Sequence, residues 1–469
     1  MIPEFAILGH PNEGKSSVLS TLAEDDSVRV SPTPGETSRC RTFPVVIDGR
    51  ELLRFTDTPG FQNPGRVLSE LRQRSTDSSD PLGDFRKYAE NIPELADDRE
   101  LLAPVERGAG IIYVVDGSRP VRNVDKAEME ILRLTGKPRM AVINCKEDAT
   151  DYLEEWKNEF RKNFNSNRMF NAHRATYAER ILLLDALKSI DQDWQPILSE
   201  VVNAFKKDWA RRNNATADIT TGLLKDCLTL QLSRNTMSHT DIEQQRSKLY
   251  NDYCKALADK EKITHQRIRD LFKHNIFHYE LPPHSILHEE LFNERTWQLL
   301  GLTQKQIVIA GALGGAAIGA GLDVAALGHG LGMFTAVGGV AGALGALFGG
   351  ESFSDKAQVM GLPLGGKQMQ IGPAKSINLL FVLLNRSLLY YQHTINWAHG
   401  RRDYQYGGSV QRDAQKSQGV TSSWSTTKLK ICHNYFKTLQ ETKSGGNSRE
   451  EEMFRKLILE TLMEISESE

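Results

Sequence analysis

The residues best suited to chemistry lie near the start of the chain, where residues 9–16 read GHPNEGKS. This is the pattern GxxxxGK[ST], in which glycines let backbone N–H groups curl around phosphate oxygens. Lys15 can reach the β- and γ-phosphates of a nucleotide, and the Ser16 hydroxyl can ligate Mg²⁺. The pattern predicts a phosphate-binding loop, whose candidate binding residues are Gly9, Asn12, Glu13, Gly14, Lys15, Ser16 and Ser17.

A second candidate element is the tetrapeptide DTPG at residues 57–60, which directly follows an apolar segment. A carboxylate at the end of a strand can hold Mg²⁺ through a water molecule, which is the role expected of Asp57. A flexible glycine can present its N–H to a γ-phosphate, which is the role expected of Gly60. Together with the phosphate loop, this element predicts a site for a magnesium nucleoside triphosphate.

The third element reads the base. Residues 145–148 read CKED after another apolar segment. The Asp148 carboxylate can accept the two N–H donors on the Watson–Crick edge of guanine, while the stem of Lys146 covers the ring. Adenine offers no exocyclic donor at the matching position, so this element favours GTP over ATP. Farther along, residues 170–173 read FNAH after another apolar segment, and a backbone N–H there, with Ala172 as the candidate, can meet guanine O6.

With these residues in hand, the chain resembles the Era/TrmE-type bacterial GTPases. The phosphate loop, DTPG and CKED are similar to the G1, G3 and G4 motifs of that family, and the resemblance covers residues 1–190. It implies GTP and GDP as ligands, Mg²⁺ as the metal, and hydrolysis of the β–γ phosphoanhydride by water. Cys145 stands where the family has asparagine, which predicts a weaker tie to the phosphate loop.

The switch I threonine of the family has two candidates. Residues 33–39 read TPGETSR and resemble the family's G-x-T-R segment with one extra residue. Either Thr37 or Ser38 can cover Mg²⁺ and the γ-phosphate, and we favour Thr37. The expected catalytic residues are therefore Lys15 and Thr37, and the expected metal ligands are Ser16, Thr37 and Asp57.

Many GTPases have a glutamine after the glycine of G3, but this chain has Phe61. Phenylalanine cannot orient water by hydrogen bonding, so slow intrinsic hydrolysis is expected. Relatives with asparagine at the position of Asn12 can bind K⁺ beside the phosphates. The resemblance therefore leads to the hypothesis of a potassium-stimulated GTPase that is further activated by homodimerisation through this domain. The alternative is that Asn12 only shapes the loop.

These motifs need a scaffold, and the first 190 residues supply an alternation of short apolar runs with helical patterns. Such alternation predicts a mostly parallel sheet with helices on both faces, which is the α/β fold of P-loop NTPases. One or two helices are expected between Gly60 and Glu106. The predicted strands are Glu4–Leu8, Pro44–Ile47, Leu52–Thr56, Gly110–Val115, Arg139–Ile143 and Arg168–Phe170, and the predicted helices are Lys15–Ala23, Asp125–Leu134, Leu153–Asn163 and Ala175–Ser189.

The remainder of the chain is predicted to be mainly α-helical. Residues 191–302 form a charged region in which Ile242–His274 suits one long amphipathic helix or a helix pair. In residues 357–469, Lys367–Ile371 suits a short strand, and the run Leu379–Leu384 is expected to be core because Asn385 and Arg386 follow it.

A glycine-rich block lies between these two regions, at 303–356. Its centre, residues 307–350, contains 14 Gly and 11 Ala among 44 residues, with Asp323 as its one formal charge. Glycines four residues apart share a helix face and let another backbone approach closely. We expect a glycine-zipper hairpin that contacts membrane lipid. The alternative is a hairpin covered by protein.

Composition limits the remaining possibilities. The 58 Lys and Arg balance 60 Asp and Glu, so nucleic acid is not an expected partner. The five cysteines lack CxxC spacing and no export signal is apparent, so we expect a cytoplasmic protein associated with the inner membrane through residues 307–350. The leading hypothesis is a GTP-driven switch that acts on this helical half. A soluble GTP-binding signalling protein and a ribosome-assembly GTPase remain as alternatives.

Overall fold

The structure is a computed structural model of the 469-residue chain. It describes residues 2–23, 39–47, 49–75, 78–145, 151–170, 177–236, 242–272, 285–302, 306, 358–359, 362–363, 367–395, 419–441 and 449–467. The predicted functional residues that lie outside these ranges are Thr37, Ser38, Lys146, Asp148, Ala172 and the block 307–350.

The chain divides into two compact units. The first contains Met1–Arg211 with Ile395–Gln405 and Ser466–Glu469, and the second contains Arg212–Thr394 with Tyr406–Ile465. The finer division of the chain at residues 190, 302 and 356 stays a prediction.

The first unit is built on a six-stranded sheet. Its strands are β1 (Glu4–Leu8), β2 (Arg41–Ile47), β3 (Arg50–Asp57), β4 (Gly110–Asp116), β5 (Arg139–Asn144) and β6 (Ser166–Phe170). Their order is β2-β3-β1-β4-β5-β6, and β2 is antiparallel to β3 while the other neighbours are parallel. All six predicted strands are confirmed; β1 has the predicted bounds, and the other five extend beyond them by one to three residues at one or both ends. The carboxyl ends of the parallel strands meet at one edge, which is where ligands bind in such sheets.

Helices cover both faces of this sheet. They are α1 (Lys15–Ala23), α2 (Pro64–Ser75), α3 (Pro81–Ala89), α4 (Ala96–Glu106), α5 (Asn123–Leu134), α6 (Leu153–Asn163), α7 (Tyr177–Leu187) and the first turns of α8 (Gln195–Leu228). Phe5 and Ile7 of β1 enter one core with α1, α7 and α8, while Ala6 and Leu8 enter the other with α2 to α6. This alternation is the period of two that a strand imposes.

The stretch after Gly60 differs from the prediction. It holds three helices, α2, α3 and α4, rather than one or two. The polar character of this stretch concealed them, because each helix buries a narrow stripe such as Val67 and Leu71 of α2. Asp80 caps α3 by accepting a hydrogen bond from Gly83 N–H at 3.1 Å, a start signal that the serine-rich surroundings masked.

The second unit is mainly helical. It contains α9 (Ile242–Leu271), α10 (Glu294–Leu300), α11 (Asn378–Ile395), α12 (Thr426–Glu441), α13 (Arg449–Glu467) and the short strands β7 (Leu232–Thr236), β8 (Gln358–Val359), β9 (Leu362–Pro363) and β10 (Lys367–Ile371). The helix predicted from residue 242 onward is a single helix. The strand β10 is confirmed, but its antiparallel partner β7 was missed, because the polar sequence LSRNT carries no strand pattern of its own.

The run Leu379–Leu384 of α11 is buried, so its prediction as core is confirmed. The polar residues that follow are buried with partners. Asn385 Nδ2 donates to Leu300 O at 2.7 Å and to Thr421 Oγ1 at 2.9 Å. Arg386 donates from Nη2 to Glu261 Oε2 at 3.2 Å. Among the described residues, none of the helices combines the length and apolarity needed to cross a bilayer. The block 307–350 lies outside this search.

Candidate nucleotide-binding site

The loop between β1 and α1 has the backbone of a tight phosphate loop. Gly9 has φ +148°, and a Cβ at this position would lie 2.3 Å from Val114 O of β4, so no other residue fits without a shift of the backbone. Asn12 also has a positive φ, +66°, a conformation that asparagine tolerates better than most residues. The loop then enters α1 at Lys15, so the N-terminus of that helix faces the loop.

Lys15 is held over the loop by the loop's own backbone. Its Nζ donates to Gly9 O at 3.2 Å and to His10 O at 3.0 Å. Burial lowers the pKa of Lys15, and the negative charges of Asp57, Glu128 and Glu13 oppose that shift. An ammonium group enclosed in this way suits a strongly negative ligand, which would restore the solvation that the side chain has lost.

Ser16 and Asp57 meet at the first turn of α1. The Ser16 hydroxyl donates to Asp57 Oδ2 at 3.1 Å. The second carboxylate oxygen, Oδ1, is buried and has no hydrogen-bond partner among the described residues. Burial raises the pKa of Asp57, against the opposing effects of Lys15 and Ser16. A hydroxyl beside a carboxylate with an unused buried oxygen fits a hydrated divalent cation, so these residues are suited to hold Mg²⁺.

The DTPG segment lies directly against the phosphate loop. A Cβ on Gly60 would lie 2.7 Å from the ring of Pro11, so the absence of a side chain permits this close approach. Thr58 anchors the segment by donating from Oγ1 to Ile7 O at 2.7 Å. The next N–H, that of Phe61, donates to Gly9 O at 3.4 Å. The two motifs that the sequence placed about 40 residues apart are therefore one site.

A hydrogen bond joins the end of β5 to the phosphate loop, and Asn144, the residue before Cys145, donates it. Asn144, the last residue of β5, donates from Nδ2 to Glu13 O of the phosphate loop at 3.1 Å. Cys145 is buried, and its N–H donates to Phe170 O at 3.3 Å. Residues 146–148 lie outside the described residues, so the expected weaker tie of that loop stays a prediction, while Asn144 bonds the phosphate loop one residue before the position that the motif assigns to asparagine. The asparagine at the end of the predicted strand was the signal that sequence reasoning overlooked.

A charged network behind the loop was also missed. Glu13 is buried, and its carboxylate accepts a hydrogen bond from Arg119 Nε at 3.2 Å. Arg119 in turn donates to Asp125 of α5 at 2.7 Å. On the other side of the loop, His10 Nδ1 lies 2.8 Å from Glu128 Oε1, and Tyr113 donates to the other oxygen at 2.8 Å. Helix α5 thus supports the loop at two places.

The structure brings together nine of the predicted site residues, which are Gly9, Asn12, Glu13, Gly14, Lys15, Ser16, Ser17, Asp57 and Gly60. The other four, Thr37, Lys146, Asp148 and Ala172, lie outside the described residues. The described residues are therefore those predicted to bind phosphate and metal, and both that role and the base-reading half stay predictions.

The order of the parallel strands and the loop between β1 and α1 have the form of a P-loop nucleotide-binding domain. In agreement, the family model described as 50S ribosome-binding GTPase matches residues 4–145. A second family model, described as domain of unknown function DUF3482, matches residues 157–464, which is more than half of the chain. The chain belongs to the DUF3482 family.

Two individual relatives each match less than half of this chain. GTPase Der of Thermotoga petrophila is 25% identical over 207 residues, which cover 44% of this chain and 39% of Der. The tRNA modification GTPase MnmE of Pseudothermotoga lettingae is 27% identical over 205 residues, covering 43% and 35% of the two proteins. The chain thus spans about two fifths of the length of these relatives. A solved structure of Era with MgGDPNP and 16S ribosomal RNA is 15% identical, covers 58% of this chain and 89% of that one, and superposes with a TM-score of 0.28, which is too low to support an argument.

Proposed function

We propose that this chain binds GTP with Mg²⁺ and hydrolyses it to GDP and inorganic phosphate, as a molecular switch. The observation that carries the proposal is the Ser16–Asp57 pair, which lies beside a buried Lys15 and leaves Asp57 Oδ1 unused. A buried carboxylate oxygen without a hydrogen bond is costly, and a hydrated cation would satisfy it. The GTPase relatives and the matched GTPase family model support the choice of reaction.

In the proposed mechanism, the Lys15 ammonium turns from the carbonyls of the loop to the β- and γ-phosphates. Ser16 and Asp57 hold Mg²⁺, which when bound supplies positive charge against the phosphate oxygens. The Glu13 carboxylate is engaged by Arg119, so we assign its phosphate contact to the backbone N–H. Gly60 offers its N–H to the γ-phosphate.

The other site residues remain proposals that come from the resemblance. Thr37, or Ser38 in its place, closes over Mg²⁺ and the γ-phosphate. Lys146 and Asp148 bind guanine, and the N–H of Ala172 meets guanine O6. Asn144 supports this assignment, because its hydrogen bond to Glu13 O ties the carboxyl end of β5, where the CKED sequence begins, to the phosphate loop.

The test is phosphate release from GTP by the full chain and by Lys15→Ala. Loss of the ammonium is expected to lower GTP affinity about 100-fold, since a charge-assisted contact to phosphate disappears. The matched control is Lys162→Ala, which removes a lysine from an exposed pair with Glu159 on α6. Equal affinity and turnover in Lys15→Ala and the wild type would contradict the proposal.

Potassium stimulation is a finer part of the proposal. Asn12 is exposed and adopts a positive φ, so its side chain is accessible beside the loop. We expect faster turnover in KCl than in NaCl, and we expect Asn12→Gly to keep the loop conformation while removing the difference. Equal rates in the two salts would contradict potassium stimulation. Homodimerisation through the same domain is tested by the dependence of the rate on protein concentration.

The switch is proposed to report the nucleotide state of residues 1–190 to the helical regions 191–302 and 357–469 and to membrane lipid through the hairpin 303–356. Binding of the full chain to liposomes with GDP and with a non-hydrolysable GTP analogue tests this. Two alternatives are outcomes of the test. Absence of lipid binding favours a soluble signalling protein, and RNA that co-purifies with the chain favours a ribosome-assembly GTPase.

A further inference from the structure

The two residues after Gly60 point in opposite directions. The side chain of Phe61 is fully buried in the core beneath α2 to α4, in the same cluster as Val67 and Phe85. Gln62, by contrast, is exposed. Phe61 is therefore a core residue. The first polar side chain after the DTPG segment is the amide of Gln62, which lies one position after the one where many GTPases have their glutamine.

The Gln62 amide lies next to the phosphate loop. Its Nε2 donates to Gly60 O at 3.3 Å. Gly60 itself approaches Pro11 so closely that a Cβ would lie 2.7 Å from the proline ring. The Gln62 amide is thus linked to the phosphate loop through a single intervening residue, Gly60. The neighbouring amide is used elsewhere, because Asn63 Nδ2 donates to Glu94 O at 2.7 Å.

The backbone of this segment is fixed by a carboxylate from α4. Asp98 is fully buried, and its Oδ1 accepts from Gln62 N–H at 3.0 Å. The other oxygen accepts from Asn63 N–H at 3.1 Å. Burial raises the pKa of Asp98, and these hydrogen bonds oppose the shift. The buried Asp98 carboxylate accepts hydrogen bonds from two consecutive N–H groups. It therefore holds the main chain of Gln62 in one orientation.

We propose that Gln62 is the catalytic residue that orients the attacking water, and that Asp98 is the positioning residue that holds it. This assignment rests on the proposed GTPase activity. Gln62 Oε1 accepts a hydrogen bond from the water, and Nε2 leaves Gly60 O to donate to it. The amide can do both, because it carries an acceptor and two donors.

The reaction needs no proton from Gln62. The water oxygen forms a bond to the γ-phosphorus while the bond from phosphorus to the β–γ bridging oxygen breaks. The electron pair of that bond leaves with GDP, and both protons of the water end on inorganic phosphate. Gln62 contributes the position and orientation of the water, and positioning is, with electrostatic stabilisation, one of the two ways in which proteins catalyse phosphoryl transfer.

Single-turnover hydrolysis of GTP by the full chain with Mg²⁺ tests the role of Gln62. Gln62→Ala is expected to slow hydrolysis about 10- to 100-fold, the effect of losing one positioned hydrogen-bonding group. The affinities for GDP and for a non-hydrolysable GTP analogue are expected to stay at the wild-type values. The matched control is Gln73→Ala on the exposed side of α2. Because Gln62 is exposed, its variant is expected to fold.

The outcomes separate this inference from the proposed function. If the wild type hydrolyses GTP and Gln62→Ala does so at the same rate, the assignment of Gln62 is wrong while the GTPase activity stands. If the wild type binds GTP but releases no phosphate, or binds no GTP, the proposed function and this inference are both overturned.

Asp98 is tested through its dependence on Gln62. Asp98→Asn places amide N–H groups where an oxygen now accepts, so hydrolysis is expected to slow while nucleotide affinity holds. In the double variant with Gln62→Ala, Asp98→Asn is expected to add no further loss, because it acts through Gln62. If the double variant instead shows the product of the two single-variant losses in rate, the positioning role of Asp98 is wrong. Asp97→Asn, one residue earlier on α4, is the control.

Discussion

The phosphate site and the core of the second unit both bury charge, but they pair it differently. In the second unit, Arg386 donates to Glu261 at 3.2 Å and to Glu289 O at 3.0 Å, so the ion pair is closed. In the phosphate site, Lys15 donates to backbone carbonyls and Asp57 Oδ1 is left without a hydrogen-bond partner among the described residues.

The difference separates scaffold from site. Burial of an ion costs free energy unless its hydrogen-bonding capacity is used, so a structural pair is expected to be complete. An incomplete pair persists where a ligand completes it, and the protein accepts the cost in the unliganded state. On this basis we assign Arg386 and Glu261 to the scaffold, and we propose that Lys15 and Asp57 bind substrate and metal.

The largest predicted change in stability follows from removing the charge of Glu261. Glu261→Gln leaves Arg386 buried and charged without a counter-ion, so the free energy of unfolding is expected to fall by about 3–5 kcal/mol. Chemical denaturation measures this. Glu464→Gln, which opens the pair of Glu464 with Lys428, is the control and is expected to cost less than about 1 kcal/mol, since the Glu464 side chain is 61% exposed. A small loss in Glu261→Gln would remove the distinction between the two regions.

Asp57→Asn is expected to change stability in the opposite direction. The variant neutralises a buried carboxylate, so the nucleotide-free chain is expected to gain about 1 kcal/mol at pH 8 while Mg²⁺-dependent nucleotide binding is lost. Because burial raises the pKa of Asp57, the wild-type carboxyl is neutral in a larger fraction at low pH, and the gain shrinks as pH falls. Thermal unfolding at pH 8 and pH 5 measures both effects.

Exposed Asp259 on α9 provides the control, since Asp259→Asn is expected to change neither stability nor nucleotide binding. A destabilised Asp57→Asn would mean that Asp57 belongs with the closed pairs of the fold.

His265 is a second buried titratable group of the second unit, and it gives the stability of this unit a predicted pH dependence. It stacks on Tyr390 with ring centroids 4.1 Å apart, and burial beside Arg386 lowers its pKa from 6.5 to about 3. Wild-type stability is therefore complete above pH 6.5 and is lost as pH falls toward 3, by at most about 1.4 kcal/mol per pH unit. His265→Phe keeps the stack and is expected to flatten this slope between pH 6 and pH 4. An unchanged slope would show that His265 is not the buried neutral group.

Local patterns carried most of what the sequence predicted. The strand Glu4–Leu8 and the helix Lys15–Ala23 have the predicted bounds, because the apolar run and the phosphate-loop motif define them without help from distant residues. The meeting of Asp57 with Ser16 also followed from the sequence, since parallel strands end at one edge of the sheet.

Contacts between distant residues were not predictable in this way. β7 forms because β10 lies beside it, and its own residues carry no strand signal. The hydrogen bond from Asn144 to the phosphate loop was not predicted, because the fixed spacing of the motif assigns the asparagine to position 145. Pairing of Glu13 with Arg119, more than 100 residues away, and of Asp98 with Gln62 depends on the folded sheet and α4.

We propose that residues 9–16 together with Asp57 form a site for magnesium guanosine triphosphate. Titration calorimetry of the full chain with GTP, and separately with ATP, in the presence of Mg²⁺ tests it most directly. We expect saturable heat with GTP, little with ATP, and no GTP signal in Lys15→Ala. Absence of heat with GTP from the folded wild-type chain would contradict the account.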